Sequence, residues 1–419
     1  MRPTRLRNAA PADAEHGRMR PIVHNEDLPW VQLRNANFSA VVFQKMIGRI
    51  APTARNGDLV RVYDRDGTIF GAGLLNTHSQ IALRMLSYDA TPLDEGFLPT
   101  RLAAAIALRQ DILRLNATSE AWRVVHAEGD GLPGLIVDRF GPCAVVELFS
   151  VAMQRRIKQI RECLVAQLGV EHVLFRADEH IQLAEGFKLP ALAANPPESP
   201  SPASTIIAEN AVRFQIDLAG GHKTGFFCDQ RDNRLALTRF TAEADVLDMC
   251  CYSGGFGIYA ALLGKAKHVT AVDLDENAIA LARRNANLNR IAPNRYETVH
   301  ADSFPYLRQM QQNNRIYDVI VLDPPKLIGG RLEFAEGRQK YFDLNKLALP
   351  LIKPGGILVT CSCSGLVDMA EFQNIVRGAA RSARRRVQII QATGPGMDHP
   401  VMTDYPESGY LKCLWCRVV

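Results

Sequence analysis

Val246-Leu247-Asp248-Met249-Cys250-Cys251-Tyr252-Ser253-Gly254-Gly255-Phe256-Gly257 is the stretch on which the fold of this 419-residue chain turns. A short apolar run ends in an acid and feeds a glycine-rich turn. Glycines let a backbone approach a ligand closely, and the helix that follows such a turn offers its N-terminal amides. Outward from this point, Val269–Asp273, Val319–Asp323 and Gly356–Thr360 are further apolar runs of strand length, with helical stretches such as Glu276–Asn289 between them. Continuous apolar strands separated by helices predict a parallel, doubly wound sheet, here over residues 206–419. In that architecture a ligand sits at the carboxyl ends of the strands.

The residues just past those ends carry the chemistry. Asp273 closes the second strand about twenty residues beyond the glycines, where a carboxylate can accept both hydroxyls of a ribose; Asp275 is placed to cap the next helix. Val299-His300-Ala301-Asp302 sets another acid after a third strand, within reach of an adenine amino group or simply in a polar loop. The fourth strand ends Asp323-Pro324-Pro325-Lys326, a rigid turn whose carbonyls lack competing N–H donors and suit a flat base or amine. Thr360-Cys361-Ser362-Cys363-Ser364-Gly365 brings two thiols to the end of the fifth. The glycine-rich turn after the first strand lacks the order G-x-G-x-x-G, and G-x-x-x-x-G-K-[ST] occurs nowhere in the chain, which leaves a dehydrogenase or a P-loop enzyme without support.

Upstream, residues 22–92 read as short strands. Asn56-Gly57-Asp58 leads into Leu59–Tyr63, Asp66-Gly67 turns the chain into Ile69–Gly73, and Gln80–Leu86 is a further strand, so a small β-barrel or sheet is expected. Residues 93–205 read as an α+β unit: a helix over 98–115, strands at Trp122–His126, Leu135–Asp138, Cys143–Phe149 and His172–Ala177, and a helix over 152–168. Asn195–Ser204 is rich in proline and serine and predicts a surface loop or linker.

Hydrophobic residues at 47% and charged residues at 22% exclude a disordered or fibrous chain. No apolar run is long enough to span a bilayer. Residues 1–21 carry five arginines and no apolar core, which predicts a basic, solvated tail rather than a secretory signal. Lys+Arg 49 against Asp+Glu 44 gives a net charge of +5, compatible with a nucleic-acid partner without demanding one. Arg377, Arg381, Arg384, Arg385 and Arg386 form a basic stretch that suits phosphate contacts or a solvated helix face. Nine cysteines spread along the chain fit reduced thiols in a cytoplasm. Cys413 and Cys416 form a lone C-x-x-C, too little for a zinc site, and no metal is expected.

The glycines after the first strand, the acids after the second and third, and Asp323-Pro-Pro after the fourth together resemble the class I S-adenosylmethionine-dependent methyltransferases. The run Gly221–Arg234, with Ser253-Gly-Gly-Phe, Asp323-Pro-Pro-Lys, Ser362-Cys-Ser-Gly and Asp398-His-Pro, resembles the RNA cytosine-C5 methyltransferases related to ribosomal large-subunit methyltransferase I. Asn56–Arg84, with Leu75-Asn-Thr-His-Ser-Gln80, looks like that family's PUA domain, a small RNA-binding barrel, and Glu128–Asp138 like the start of its central α+β domain.

The resemblance implies S-adenosylmethionine as cofactor and RNA, large-subunit ribosomal RNA in particular, as partner. It implies a cytoplasmic enzyme without membrane association, and relatives are often homodimeric. It carries Asp248, Gly254, Gly255, Asp273, Asp302 and Asp323 to the cofactor site, with Phe227, Asp229 and Arg231 near the methionine and ribose side. Cys363 matches the family's nucleophile, with Asp323 the group that would hydrogen-bond cytosine N3. Cys361, two residues away on an extended segment and so on the same face, is the reserve thiol. The competing expectations are a methyltransferase acting on another RNA base, which would need no thiol, and a non-catalytic RNA-binding ribosome-assembly factor.

Overall fold

The computed structural model describes residues 19–190, 202–218 and 224–419. Most of the arginine-rich tail, most of the Pro/Ser-rich stretch and Gly221-His222-Lys223 lie outside the described residues. The chain divides into two compact units. One comprises residues up to Phe97 together with Ser150–Arg155 and Glu179–Lys188; the other comprises Leu98–Phe149, Arg156–Asp178 and Leu189–Val419.

The first unit is a curled six-stranded sheet in the order Val41–Phe43, Ile81–Ser87, Ile69–Leu75, Leu59–Tyr63, Trp30–Leu33, Ile47–Ile50. Its hairpin turns where expected: Asp64 Oδ1 accepts from the amides of Asp66 and Thr68, both at 2.9 Å, and Gly67 adopts φ +80°. Alternate side chains Val31, Leu33, Val60, Val62, Leu75, Leu83 and Met85 fill the inside. The helix Glu179–Glu185 belongs to this unit. Glu185, 4% exposed, accepts from Arg84 Nη2 at 3.0 Å, Ser79 Oγ at 2.7 Å and Asn76 Nδ2 at 2.9 Å. Asn76 and Ser79, in the Leu75–Gln80 motif, thus hold a carboxylate from about one hundred residues further along the chain, compensating the cost of burying it.

The second unit contains the central sheet His172–Arg176, Cys143–Leu148, Leu135–Phe140, Ala121–His126, with only its outermost pair parallel. The predicted helix over 98–115 is α-helical only from Phe97 to Ala107 and widens into a π-turn over Leu108–Ile112. That wider turn accompanies a fully buried Arg109, whose guanidinium donates to both oxygens of Asp130 at 2.5 and 2.9 Å.

The seven-stranded sheet of the same unit runs Tyr296–His300, His268–Asp273, Asp245–Met249, Tyr317–Leu322, Ile352–Ser362, Lys412–Val418, Val387–Thr393. The first five strands are parallel; Lys412–Val418 runs antiparallel to both of its neighbours, so Val387–Thr393 again points the same way as the first five. Two apolar cores cover its faces, one around Tyr259, Ile258 and Trp415, the other around Tyr341, Phe372 and Leu414. Strand order reverses between Asp245–Met249 and Tyr317–Leu322, so a crevice opens at their carboxyl ends. Among the described residues no helix is long and apolar enough to cross a membrane.

Candidate active site

Beyond Met249 the chain turns through Cys250 and Tyr252, both left-handed at φ 59° and 47°. The acid of the neighbouring strand helps hold this turn: Tyr252 N–H donates to Asp273 Oδ2 at 2.8 Å. Gly254, at φ +80°, caps the helix Gly255–Leu262, and a Cβ on it would come within 2.5 Å of Tyr296 Oη. Asp248 is fully buried and accepts the Gly257 amide at 2.8 Å. Burial pushes its carboxyl up to about 7; the Gly257 bond opposes this, and the charges of Asp323 and Asp273 add to it. Asp248 and Gly254 therefore shape the turn from below, while Gly255 reaches the surface of the crevice.

That crevice is a cavity of about 650 Å³, within the usual range for small-molecule sites. Asp229, Asp273, Asp302 and Asp323 all line it, as do Phe227 and Cys363. Asp273 also accepts from the Asp275 amide at 2.9 Å through Oδ1. Each of its oxygens keeps a second lone pair, enough for two hydroxyl donors. Asp302, exposed and on the cavity wall, caps the helix Ser303–Gln312 through Oδ1, at 2.8 Å from Phe304 N. Leu274 and Phe304 supply apolar wall beside these two acids. Tyr410 Oη donates to Asp229 Oδ2 at 2.5 Å, and burial followed by the Asp229 charge pushes this phenol well above its ordinary range, so it stays a donor. Phe227 packs edge-to-face on Tyr252 with centroids 5.0 Å apart.

Three expected residues stand apart from the cavity surface. Asp248 and Gly254 act through the turn. Arg231, 3% exposed, directs both terminal nitrogens at Asp398, each at 2.9 Å. Asp398 lies in the Asp398-His-Pro motif, so two of the motifs quoted from sequence are locked to one another beneath the site.

The two thiols differ sharply. Cys361 is fully buried, faces Cys413 across the strand pair and is absent from the cavity wall. The Cys413 thiol and burial push it well above the ordinary range. Cys363, half-buried, opens onto the cavity with Sγ 3.9 Å from Pro324 O, beside the Asp323-Pro-Pro turn. Ser364 fastens the two loops together: its Oγ accepts from Ile328 N at 3.1 Å and pairs with Tyr341 Oη at 3.0 Å. Cys413 and Cys416 belong to the cores on opposite faces of the sheet, so their sulfurs do not converge on one ion.

Several cavity residues escaped the sequence reading. Leu274 and Phe304 lie next to acids that were found, so position after a strand was their signal. Tyr410 and Leu411 reach the cavity because the last strand folds back antiparallel beside Ile352–Ser362, a pairing with no local sequence signature.

The donor set suits S-adenosylmethionine. The cavity lining offers carboxylates (Asp229, Asp273, Asp302, Asp323) that could accept hydroxyls and balance a cationic centre, beside apolar wall from Leu274 and Phe304 that could flank adenine. Comparison with known proteins agrees. Residues 123–387 match the family described as S-adenosylmethionine-dependent methyltransferase, and residues 34–88 a PUA-like domain. A proposed SAM-dependent methyltransferase from Streptococcus mutans superposes with a TM-score of 0.75 over 92% of this chain and 100% of its own, at 18% identity. A proposed methyltransferase solved with SAH gives 0.74 over 90% of this chain and 95% of its own, at 19% identity. At that identity the likeness concerns fold alone.

Fold and site together define a class I methyltransferase that uses S-adenosylmethionine, preceded by a PUA-like domain. "Ribosomal RNA large subunit methyltransferase I" of Vibrio cholerae is 36% identical over 90% of this chain and 95% of its own, and that of Photobacterium profundum 37% over 90% and 94%. The chain belongs to this ribosomal RNA large subunit methyltransferase I family.

Proposed function

We propose that the protein methylates C5 of a cytosine in large-subunit ribosomal RNA through a covalent adduct of Cys363. Cytosine C5 is a poor nucleophile. A thiolate adding to C6 pushes the ring electrons toward C5, which then takes the methyl group; loss of the C5 proton restores the double bond and expels the thiolate. S-Adenosylmethionine supplies an electrophilic methyl on a sulfonium. In this reading Asp273 accepts the ribose hydroxyls and Asp302 the adenine amine. Phe227, Asp229 and Gly255 border the methionine side. Asp323 hydrogen-bonds N3 and makes the ring a better electron sink, with the Pro324 and Pro325 carbonyls near the exocyclic amine.

The observation that carries this proposal is that Cys363 and Asp323 border the same cavity as Asp273 and Asp302, while Cys361 does not. A base within a helix is out of reach of such a crevice, so the target is expected in a loop or flipped out. The PUA-like domain supports RNA as partner. We assign RNA holding to residues 22–92, a connecting role to 93–205 and methyl transfer to 206–419. The family resemblance supports a cytoplasmic homodimer, which sedimentation would measure.

Ribosomal RNA carrying 5-fluorocytosine tests the reading, because fluorine at C5 prevents proton loss and traps the adduct. A denaturation-resistant protein–RNA complex that needs both S-adenosylmethionine and Cys363 is expected. Methyl transfer without such a complex would indicate attack by a different base atom. No transfer of label at all would indicate a non-catalytic RNA-binding factor.

A further inference from the structure

Lys412 is a buried lysine at the edge of the site. It opens the strand Lys412–Val418, lies opposite Ser362 in the antiparallel ladder and is only 5% exposed. Its ammonium donates to Ser364 O and to Tyr410 O, each at 2.6 Å. Those two carbonyls belong to the residue after Cys363 and to a residue of the cavity wall. An ammonium has three N–H bonds, and the two carbonyls occupy two of them. Among the described residues no carboxylate forms an ion pair with Lys412, which is unusual for a buried cation.

A buried charge kept without a counter-ion needs a partner to make it worth keeping. The groups facing Lys412 are few. Cys363 comes from the turn after Ile352–Ser362, and Asp368 caps the helix Met369–Ser382, where its Oδ1 accepts the Glu371 amide at 2.7 Å. The Tyr341 phenol approaches through Ser364, and its own pKa is raised by burial. Burial pulls Lys412 down to about 8, and the negative charge available on Cys363, ahead of that on Asp368, pulls it back up. The amine is therefore still largely protonated near neutral pH.

The thiol needs such help. An ordinary cysteine, with a pKa of about 8.5, is only a few per cent ionised at neutral pH. Carboxylates dominate the cavity beside it, and each opposes a further anion. Other cations are occupied elsewhere or lie in solvent: Arg234 is held by both oxygens of Glu209 at 2.7 and 2.9 Å, and Lys326 is exposed at the rim.

We propose that Lys412 is a positioning residue for the nucleophile: its ammonium, clamped between the Ser364 and Tyr410 carbonyls, holds the Cys363 sulfur as a thiolate and keeps its turn facing the cavity. This rests on the reading of Cys363 as the nucleophile.

Peptide-resolved alkylation of the full-length protein by iodoacetamide, followed against pH, reads the ionisation of Cys363 without requiring turnover. In the wild type the half-maximal rate is expected below pH 8.5. Lys412→Gln, which keeps donors but loses the charge, should move it up by about one pH unit and slow alkylation at pH 7 about tenfold. Lys412→Arg should stay within about twofold of wild type, since the charge is retained. An unshifted profile in a folded Lys412→Gln protein overturns the proposal. If that variant does not fold, a wild-type profile centred at or above pH 8.5 overturns it instead. The 5-fluorocytosine complex separates the two readings: its absence from wild type defeats the role of Cys363, whereas its presence with an unshifted Lys412→Gln profile defeats only the role of Lys412.

Discussion

Arg231 and Asp398, 167 residues apart in sequence, form a two-point ion pair with both N–O distances at 2.9 Å, each side chain no more than 3% exposed. Asp398 also accepts the Arg123 amide at 2.9 Å through Oδ2, and its own carbonyl accepts from Arg109 Nη2 at 2.6 Å. A single loop thus ties the helix Arg231–Leu237 to the central sheet beneath the cavity. Burial alone would raise the Asp398 carboxyl, but His399 and Arg231 hold it far below the ordinary range. A carboxyl with a depressed folded pKa contributes stability that is present above its unfolded value of about 4 and is lost as pH falls below that.

Asp398→Asn is therefore expected to cost about 3–5 kcal/mol at pH 7, because the buried Arg231 loses its two-point counter-charge and is left with the half-exposed Asp232, 3.3 Å from its Nε. The gap from wild type should narrow as pH drops from about 4 toward 2. Denaturant unfolding at a series of pH values checks this, and a gap independent of pH would contradict it.

What could be seen in the sequence and what could not divide along a physical line. The parallel strands announced themselves because residues such as Val246, Val269 and Ile320 are buried on both faces and need no polar alternation. Asp273, Asp302 and Asp323 were visible because topology places the end of each such strand at one crevice. Arg231 looked the same as these acids in a one-dimensional motif, yet its partner lies at Asp398, and long-range pairing of charges leaves no local trace. The same holds for Lys412, whose part depends on an antiparallel strand returning beside Cys363. The edge strand Val387–Thr393, with Ile389 and Ile390 exposed, has no inward apolar alternation and gave no strand signal.

Cys363→Ala is expected to lower methyl transfer at least about a thousandfold, since it removes the atom proposed to form the adduct. S-Adenosylmethionine should still bind within a few-fold of wild type, as measured by calorimetry. Cys361→Ala leaves a small void against Cys413 and should cost about 1–2 kcal/mol of stability with turnover largely kept. The reverse pattern, with Cys361 essential and Cys363 dispensable, would transfer the nucleophile to a thiol that does not line the cavity.

Asp273 and Asp302 differ in what a truncation should do. Asp273→Ala removes the proposed acceptor for two ribose hydroxyls and the partner of the Tyr252 and Asp275 amides, so cofactor affinity should fall at least about tenfold, or 1.4 kcal/mol. Asp302→Ala removes a helix cap and one proposed amine acceptor; a stability loss of about 1 kcal/mol and a smaller drop in affinity are expected. Calorimetric titration with S-adenosylmethionine or SAH, paired with thermal melts, distinguishes them. Unchanged affinity in Asp273→Ala would reject its place at the ribose.

The cofactor-free protein should also carry a second pH dependence, opposite in sign to that of Asp398. Asp248 is raised to about 7 by burial, with Asp323 and Asp273 adding repulsion. A carboxyl whose folded pKa lies above its unfolded value favours the native state while protonated. Its contribution is full below about pH 4 and is lost as pH climbs through about 7. Over that window the loss is on the order of 4 kcal/mol if no other group compensates. Asp248→Asn can still accept the Gly257 amide through its carbonyl oxygen and carries no proton to lose. The variant should therefore show a flatter stability profile between pH 4 and 7 and match or exceed wild type at pH 8. Denaturant midpoints of both proteins across that range measure the difference, and parallel profiles would show that the buried acid beneath the glycine turn does not titrate there.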